Sequence, residues 1–235
     1  MKVRIKFSKT GTMKYIGHLD VMRYFQKALR RADFDTALSG GFSPHMIMSF
    51  AAPLGVGITS EGEYFDLELN SAGTSAGMEA ALNAVMAEGI SVLSVRRIPD
   101  DKKAGGMRLL AAAGYLVRFR DVVPEACSKA LLDALETFLS REEIQIEKKT
   151  KKGSRVMNIR PLIYELSPCD DGFYMLVSQG SVDNLRPELV MQALFSAAGL
   201  DMPENALIIH RLDLYAEQAE PGTFCSLESL GEVIV

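Results

Sequence analysis

Polar and apolar residues alternate at the start of the chain and then recur with helical spacing. Residues 2–7 place Val3, Ile5 and Phe7 on one side and cations on the other, the period-two pattern of a half-buried strand. In residues 18–32, Met22, Phe25, Leu29 and Ala32 recur at spacings of three and four, which predicts an amphipathic helix. The chain therefore opens with a strand and a helix that bury their apolar sides together.

The same two patterns continue along the chain in an order that repeats. The first half is predicted to continue with strand segments within 34–50 and at 63–70, a helix at 76–88 and a strand at 92–98. The second half is predicted to contain strands near 115–120, 144–149, 156–166, 172–178 and 206–215, and helices at 125–140 and 187–198. The first half follows the order βαββαβ of the ferredoxin-like fold, and the second half repeats this order with one additional strand.

This repeat predicts an α+β fold of two tandem ferredoxin-like (βαββαβ) units with antiparallel sheets. The predicted boundaries are 1–98 for the first unit, 99–114 for a connector, 115–216 for a second unit with a basic hairpin, and 217–235 for an acidic C-terminal tail. Helices cover one face of such a sheet, so the other face is expected to be free for the second sheet, a nucleic acid or a protein.

Charge is distributed unevenly along the 235 residues. The net charge of −4 and the pI near 5.5 argue against a generic nucleic-acid binder, whose domain is expected to be basic. However, residues 1–60 contain nine Lys or Arg against three Asp, whereas residues 201–235 contain seven acids against Arg211 alone. One interpretation is that the acidic tail shields a basic groove when no partner is bound.

Compartment and cofactor signals are sparse. The start of the chain lacks the apolar core of a signal peptide, and no stretch approaches the roughly 18 apolar residues of a membrane span, so a cytoplasmic protein without membrane contact is expected. Cys127, Cys169 and Cys225 are scattered and are expected to be reduced thiols. We predict no metal site and no cofactor, because neither Cys nor carboxylates have ligand spacing.

The first helix carries a row of cations on its polar side. These are Arg23, Lys27, Arg30 and Arg31. Four lysines nearby in sequence also lack acidic neighbours, namely Lys2, Lys6, Lys9 and Lys14. The row is typical either of a phosphate-binding face or of a solvated helix whose last cations complement the helix dipole, and the sequence leaves both open.

A second basic cluster, KKTKKGSRVMNIR at residues 148–160, has six cations and no acid. Gly153 and Ser154 at its centre predict a β-hairpin with a basic tip. Lysines also protect exposed edge strands from aggregation, but six charges of one sign favour contact with a phosphate backbone. The candidate RNA contacts here are Lys149, Lys151, Lys152, Arg155 and Arg160.

The segment SGGFSPH, residues 39–45, is a candidate contact for bases. Its glycines permit close approach of a ligand, Phe42 would stack on a base if exposed, and His45 would lie beside it. The alternative is a bend in a long strand with Phe42 buried. A lone Gly-Gly pair is weak evidence for a ligand site, so the sequence favours this alternative. His18 and His45 are also candidates for the base and acid of metal-independent RNA cleavage, although a lone histidine is more often structural.

Several motifs together resemble a known family: GHLD, ALRRA, GFSPH, PLGVGITSEGEY and the later KKGSRVMNIRP. They resemble a bacterial family of unknown function usually called radical-SAM-linked or radical-SAM-associated proteins. Members are fused to, or encoded next to, a radical SAM protein, often near genes of RNA processing and ribosome components. The resemblance implies a radical SAM protein as partner. Because this chain lacks the three-Cys cluster motif, the radical chemistry would belong to that partner.

The same N-terminal pattern is similar, more weakly, to the tandem ferredoxin-like, repeat-associated RNA-binding superfamily that includes CRISPR repeat-processing endoribonucleases. There His18 is the position of interest, but the glycine-rich C-terminal segment of those nucleases is replaced here by an acidic one. We therefore expect an RNA-binding accessory module that works with a radical SAM enzyme, rather than an enzyme. The alternatives are a metal-independent endoribonuclease using His18 and His45, and a protein-only adaptor that docks on an acidic partner enzyme.

Overall fold

The structure, a computed structural model, describes residues 1–150, 153–180 and 183–235. Its strands are β1 (Lys2–Lys9), β2 (Met48–Phe50), β3 (Thr59–Glu68), β4 (Ile90–Ile98), β5 (Leu110–Phe119), β6 (Gln145–Thr150), β7 (Gly153–Asn158), β8 (Ile163–Cys169), β9 (Gly172–Ser178), β10 (Leu207–Glu217) and β11 (Phe224–Ser226). Its helices are α1 (His18–Arg31), α2 (Ser75–Asn83), α3 (Gly106–Leu109), α4 (Glu125–Ser140) and α5 (Pro187–Ala197).

The chain forms two compact units, which are described separately. Unit 1 contains Met1–Ala113 and His210–Val235, and unit 2 contains Gly114–Ile209. The chain leaves unit 1 within β5 and returns to it within β10. These boundaries differ from the predicted ones, because the segment expected to end the second unit and form a tail belongs to unit 1.

The sheet of unit 1 is centred on β1 and β3. The strands β4, β1 and β3 are neighbours in that order, and every pair is antiparallel. Beyond β3, β2 pairs antiparallel with its second half, whereas β10 pairs parallel with its first residues. Unit 1 thus begins with the predicted element order β1, α1, β2, β3, α2, β4.

One face of this sheet is apolar and packs on the helices. Val3, Ile5 and Phe7 of β1 are at most 2% exposed, as the alternation predicted. Phe25 and Leu29 of α1 lie against them in the same buried cluster. The rings of Phe7 and Phe25 meet edge to face at 4.7 Å, a favourable geometry for aromatic pairs.

The opposite face of the unit 1 sheet is not free, contrary to expectation. The buried guanidinium of Arg4 donates to the carbonyl oxygens of Leu227 at 3.1 Å and Ala104 at 2.8 Å, and it pairs with Asp66 at 2.8 Å. The C-terminal segment is held on the sheet because Leu227 is buried and Glu228 pairs with Lys6 at 3.3 Å. The predicted acidic tail is therefore part of the fold of unit 1.

Unit 2 contains β5, β9 and β8, which are neighbours in that order, and the separate hairpin of β6 and β7. The helices α4 and α5 pack against each other. Leu131, Phe138, Val190 and Leu194 from these helices are buried, as is Phe173 of β9. Unit 2 therefore has an apolar core of its own.

The predicted α+β class with a mostly antiparallel sheet is confirmed, and β3 and β10 form a parallel pair within it. The tandem ferredoxin-like arrangement stays a prediction. Of the helices that the structure describes, none has both the length and the apolar character needed to cross a membrane.

Candidate functional site

The helix α1 is amphipathic in the way its sequence predicts. Phe25 and Leu29 of the predicted apolar side are buried together with Val21 and Ala28, whereas Met22 and Ala32 pack against this cluster but are only partly buried. The other side of α1 carries the cationic row Arg23, Lys27, Arg30 and Arg31, and all four residues are exposed. The apolar spacing thus positions the cations, because a helix that buries one side must present the other to solvent.

The cationic row has few partners within the protein. Arg23 lies 3.6 Å from Asp20 in an exposed pair, a kind of contact worth about 0–1 kcal/mol. Arg31 donates to the carbonyl oxygen of Val85 at 3.2 Å. Lys27 and Arg30 form no ion pair with any residue that the structure describes. The row is therefore available to an external anion.

The loop of residues 39–45 presents an aromatic ring to solvent. Phe42 is fully exposed. The backbone N–H of Ser39 donates to the His45 carbonyl at 2.8 Å, and the Ser39 hydroxyl lies 2.8 Å from His45 Nδ1. Gly41 adopts φ +100°, a conformation that side-chain-bearing residues rarely adopt. The alternative of a buried Phe42 is thus wrong, and the loop holds the ring outward.

The predicted basic hairpin is present in unit 2, where β6 and β7 pair from Gln145 opposite Asn158 to Thr150 opposite Gly153. Lys151 and Lys152 lie outside the described residues, as do the side chains of Lys149 and Arg155. Gly153 begins β7 rather than forming the tip.

Arg160, also predicted to contact RNA, is partly buried in unit 2. Its guanidinium donates to the carbonyl oxygens of Leu139 at 2.9 Å and Ile163 at 3.2 Å. These bonds join the end of α4 to the start of β8. They give Arg160 a structural role whether or not it also contacts RNA.

The strand lysines are not the unpaired cations that the sequence suggested. Lys2 lies 3.3 Å from Glu68, and Lys6 lies 3.0 Å from Asp213. The acids come from β3, the neighbour of β1, and from β10, the next strand beyond it, both far away in sequence. Lys27 and Arg30 of the cationic row, by contrast, form no ion pair within the described residues.

The two histidines proposed for RNA cleavage have different contacts. The ring of His18 packs edge-on against Phe50 at a centroid distance of 5.1 Å, whereas His45 bonds with Ser39 inside its own loop. A general acid and a general base must reach the same reacting atoms. The geometry therefore does not support a catalytic pair of His18 and His45.

A buried ionic cluster lies near His18, and the sequence analysis did not identify it. Lys9, Glu63 and Arg211 are only 1%, 2% and 3% exposed. Nη1 of Arg211 donates to both oxygens of Glu63, at 3.0 and 3.1 Å, and Lys9 Nζ donates to the Ile16 carbonyl at 2.9 Å. The cluster thus ties β1, β3, β10 and the start of α1 together.

Burial shapes the electrostatics of this cluster. Burial lowers the pKa of Lys9, an effect that Glu63 opposes and Arg211 reinforces. Burial alone raises the pKa of Glu63, whereas the close guanidinium of Arg211 favours the carboxylate. Lys9, Glu63 and His18 also line a cavity of about 10 Å³, which is room for one water molecule. The cavity is too small for an organic substrate.

We predict that His18 titrates below its ordinary pKa of 6.5, because burial disfavours the imidazolium. The neutral ring then stabilises the fold fully above pH 6.5, and this contribution is lost as the pH falls through the lowered pKa. NMR titration of the ring protons, with His18→Gln to assign the signal, measures the midpoint. A midpoint at or above 6.5 would contradict the burial of the ring.

Comparison with known proteins gives one family and distant structural matches. No curated protein matches the chain. Twenty-six chains of solved structures match; one belongs to the "Crystal Structure of a Cbf5-Nop10-Gar1 Complex", with 13% identity and a TM-score of 0.48. That match covers 90% of this chain and 48% of the other, so this chain spans about half of its length.

The family match is more extensive. Residues 2–187 match the family described as "Uncharacterized protein conserved in bacteria (DUF2344)". This range includes all of α1, the loop of residues 39–45 and the basic hairpin. It confirms the expectation of a bacterial family of unknown function. The chain belongs to this family of uncharacterized proteins conserved in bacteria.

Proposed function

We propose that this protein is an RNA-binding accessory protein that works with a radical SAM enzyme in RNA modification or processing. The observation that carries the proposal is the exposed cationic row of α1, which is held outward by the packing of the opposite side of the helix. Within the helix, residues 23 to 31 span about 12 Å at 1.5 Å per residue. Such a row matches a polyanion better than a single small anion.

RNA binding by a row of cations gains free energy from the release of counterions. Lys27 and Arg30, which form no ion pair with described residues, require no internal bond to be broken before they contact phosphate. The exposed ion pair of Arg23 with Asp20 costs little to break. Binding is therefore expected to be salt-dependent and nearly independent of sequence at these positions.

Phe42 adds a preference for unpaired bases. An exposed aromatic ring stacks on any base with about 1–3 kcal/mol, and a base within a duplex is not available to it. The bonds between Ser39 and His45 close the loop before RNA arrives, so less ordering is required on binding. We therefore take single-stranded RNA as the ligand.

The partner in this proposal comes from the resemblance to radical-SAM-linked proteins. Cys127, Cys169 and Cys225 lie on separate elements, so the iron–sulfur cluster would be supplied by the partner. The proposal also takes the protein as cytoplasmic and as two tandem ferredoxin-like units. In support, unit 1 has the element order of such a unit and antiparallel pairing throughout β4, β1, β3 and β2.

The test is a titration of fluorescent single-stranded RNA into the full chain at several salt concentrations, with a chelator present. We expect Lys27→Gln/Arg30→Gln to reduce the slope of log affinity against log salt by about 2, because two phosphate contacts are lost. The matched control is Lys102→Gln/Lys103→Gln, which removes the same charge from exposed positions outside α1. Equal losses in both variants would contradict a role for the cationic row.

The same titration tests Phe42 independently. We expect Phe42→Ala to weaken binding of single-stranded RNA about tenfold and to leave the salt slope unchanged, because stacking involves no ion release. Leu38→Ala, which truncates another exposed apolar side chain nearby in sequence, is the control. An unchanged affinity in Phe42→Ala would remove the loop from the proposed site.

The alternatives give different results. RNA recovered as fragments, with fragmentation lost in His18→Ala, would replace the binding role with the endoribonuclease. Absence of RNA binding at every salt concentration would overturn the proposal. The protein-only adaptor would then remain, with the cationic row as a docking face for an acidic enzyme.

A further inference from the structure

Unit 2 contains an open groove that the proposed function does not use. It has a volume of about 460 Å³ and lies between the end of β5, the first half of α4 and the turn from β8 to β9. This volume falls within the range of natural ligand sites. Its floor is apolar, with Leu131 and Phe173 at 1% and 3% exposure and Phe119 beside them.

The apolar surface extends beyond the floor of the groove. Val122 is 98% exposed and Leu132 is 48% exposed, and both line the opening. A ligand that filled only the cavity would leave these side chains in water. Exposed apolar residues around an apolar groove are typical of a protein interaction site. The groove therefore fits an extended or helical segment better than a small molecule.

The rim of this groove is acidic. Asp121 and Asp170 are exposed, and neither forms an ion pair within the described part of the chain. Asp171 pairs with Arg118 at 3.2 Å. Arg120, the basic residue in the lining, donates to the carbonyl oxygens of Asn205 at 3.0 Å and Leu207 at 3.4 Å, which fixes its guanidinium. The unneutralised charge at the opening is therefore negative.

One wall of the groove is held rigidly. Gly172 lies so close to β5 that an added Cβ would be 2.0 Å from the carbonyl oxygen of Val117. The turn from Cys169 to Gly172 therefore cannot move toward β5. A preformed wall lowers the cost of ordering on binding.

We propose that this groove docks a basic amphipathic helix of a partner protein. Apolar side chains of the helix enter the groove between Leu131 and Phe173, and Lys or Arg side chains next to them meet Asp121 and Asp170. The negative charge of the acidic rim attracts basic segments of a partner and repels acidic ones. This interaction is separate from RNA binding and does not depend on it.

The test uses two labelled 14-residue helical peptides that differ only in charge. Both carry Leu at i, i+3, i+4 and i+7, and one has Lys where the other has Glu. We expect the Lys peptide to bind the full chain saturably, and the Glu peptide to bind at least tenfold more weakly. Fluorescence anisotropy measures both.

Variants separate the groove from general attraction of charge. We expect Asp121→Lys/Asp170→Lys to weaken binding of the Lys peptide at least tenfold. We expect Val122→Asn to weaken it as well, because this change removes apolar surface at the opening without adding charge. The matched control is Glu136→Lys/Glu142→Lys, which changes two exposed acids of unit 2 outside the groove lining. Equal weakening by the control, or absence of saturable binding, would overturn the proposal. Binding of a small apolar dye such as 8-anilinonaphthalene-1-sulfonate without any peptide binding would overturn it too.

Discussion

Replacing Glu63 with Gln is expected to lower the free energy of unfolding by about 3–5 kcal/mol. Glu63 is 2% exposed, and both its oxygens accept bonds from Arg211, itself 3% exposed. Gln keeps the size of the side chain but removes the negative charge. The buried cations Arg211 and Lys9 then lose the carboxylate that offsets their charge, which is the costly way to break a buried pair. Urea denaturation of wild type and variant measures the difference.

Two further variants separate this effect from general damage. Glu61→Gln changes an exposed carboxylate on the same strand, 3.7 Å from His210, and is expected to cost less than about 0.5 kcal/mol. Lys9→Met in the Glu63→Gln background is expected to restore part of the lost stability, because it removes one of the two buried cations whose charge Glu63 had offset. A cost below about 1 kcal/mol for Glu63→Gln, or no restoration by Lys9→Met, would show that the cluster does not act as an ionic unit.

Local periodicity was enough to predict α1 and its cationic row. The apolar spacing in α1 specifies which side of the helix is buried: Phe25 and Leu29 are buried as predicted, and Met22 and Ala32 are partly buried. The cations then face solvent without further information. The strand β1 was predicted for the same reason. Which side of a helix or strand is buried depends here only on residues within two helical turns or a few strand positions. The local sequence is therefore enough to predict it.

The buried cluster shows where a usable signal was present and where it was not. Lys9 follows Val3, Ile5 and Phe7 in steps of two, and Glu63 precedes Phe65 in the same way. The phase of each strand therefore indicated an inward side chain, although their charge suggested the surface. The ion-pair partner of Glu63 was not predictable, because Arg211 is 148 residues away in sequence. The pairing of β10 with β3 depends on the tertiary fold, and the local pattern of polar and apolar residues does not predict it.

The C-terminal segment was misread for a related reason. Its composition is acidic, which suggested a tail that shields cations through solvent. In the structure, however, Leu227 is buried and its carbonyl oxygen accepts a bond from Arg4, 223 residues away. Average charge says little about a short segment when one apolar side chain and a few backbone bonds decide where it packs.

The loop of residues 39–45 had two open alternatives, because the turn-forming residues in its sequence do not determine whether the ring of Phe42 is covered.

Replacing Gly62 with Ala is expected to cost about 3 kcal/mol of unfolding free energy, the upper end for overpacking. A Cβ at this position would lie 2.4 Å from both the Cα of Asp213 and the carbonyl oxygen of Leu212. Both atoms belong to the backbone of β10, so no rotamer change relieves the clash and β10 must move away from β3. Gly40→Ala, where an added Cβ meets nothing within 4 Å, is the control and is expected to cause no loss.

The two costs are also expected to be coupled, because β10 carries Arg211 to Glu63. If Gly62→Ala displaces β10, it already weakens the contact between Arg211 and Glu63, and a later loss of the carboxylate removes less. The double variant Gly62→Ala/Glu63→Gln should therefore lose less stability than the sum of the single variants. If the stability losses of the two single variants simply add, Gly62→Ala does not displace Arg211 from Glu63. The close approach of β3 and β10 at Gly62 would then not position the ionic cluster.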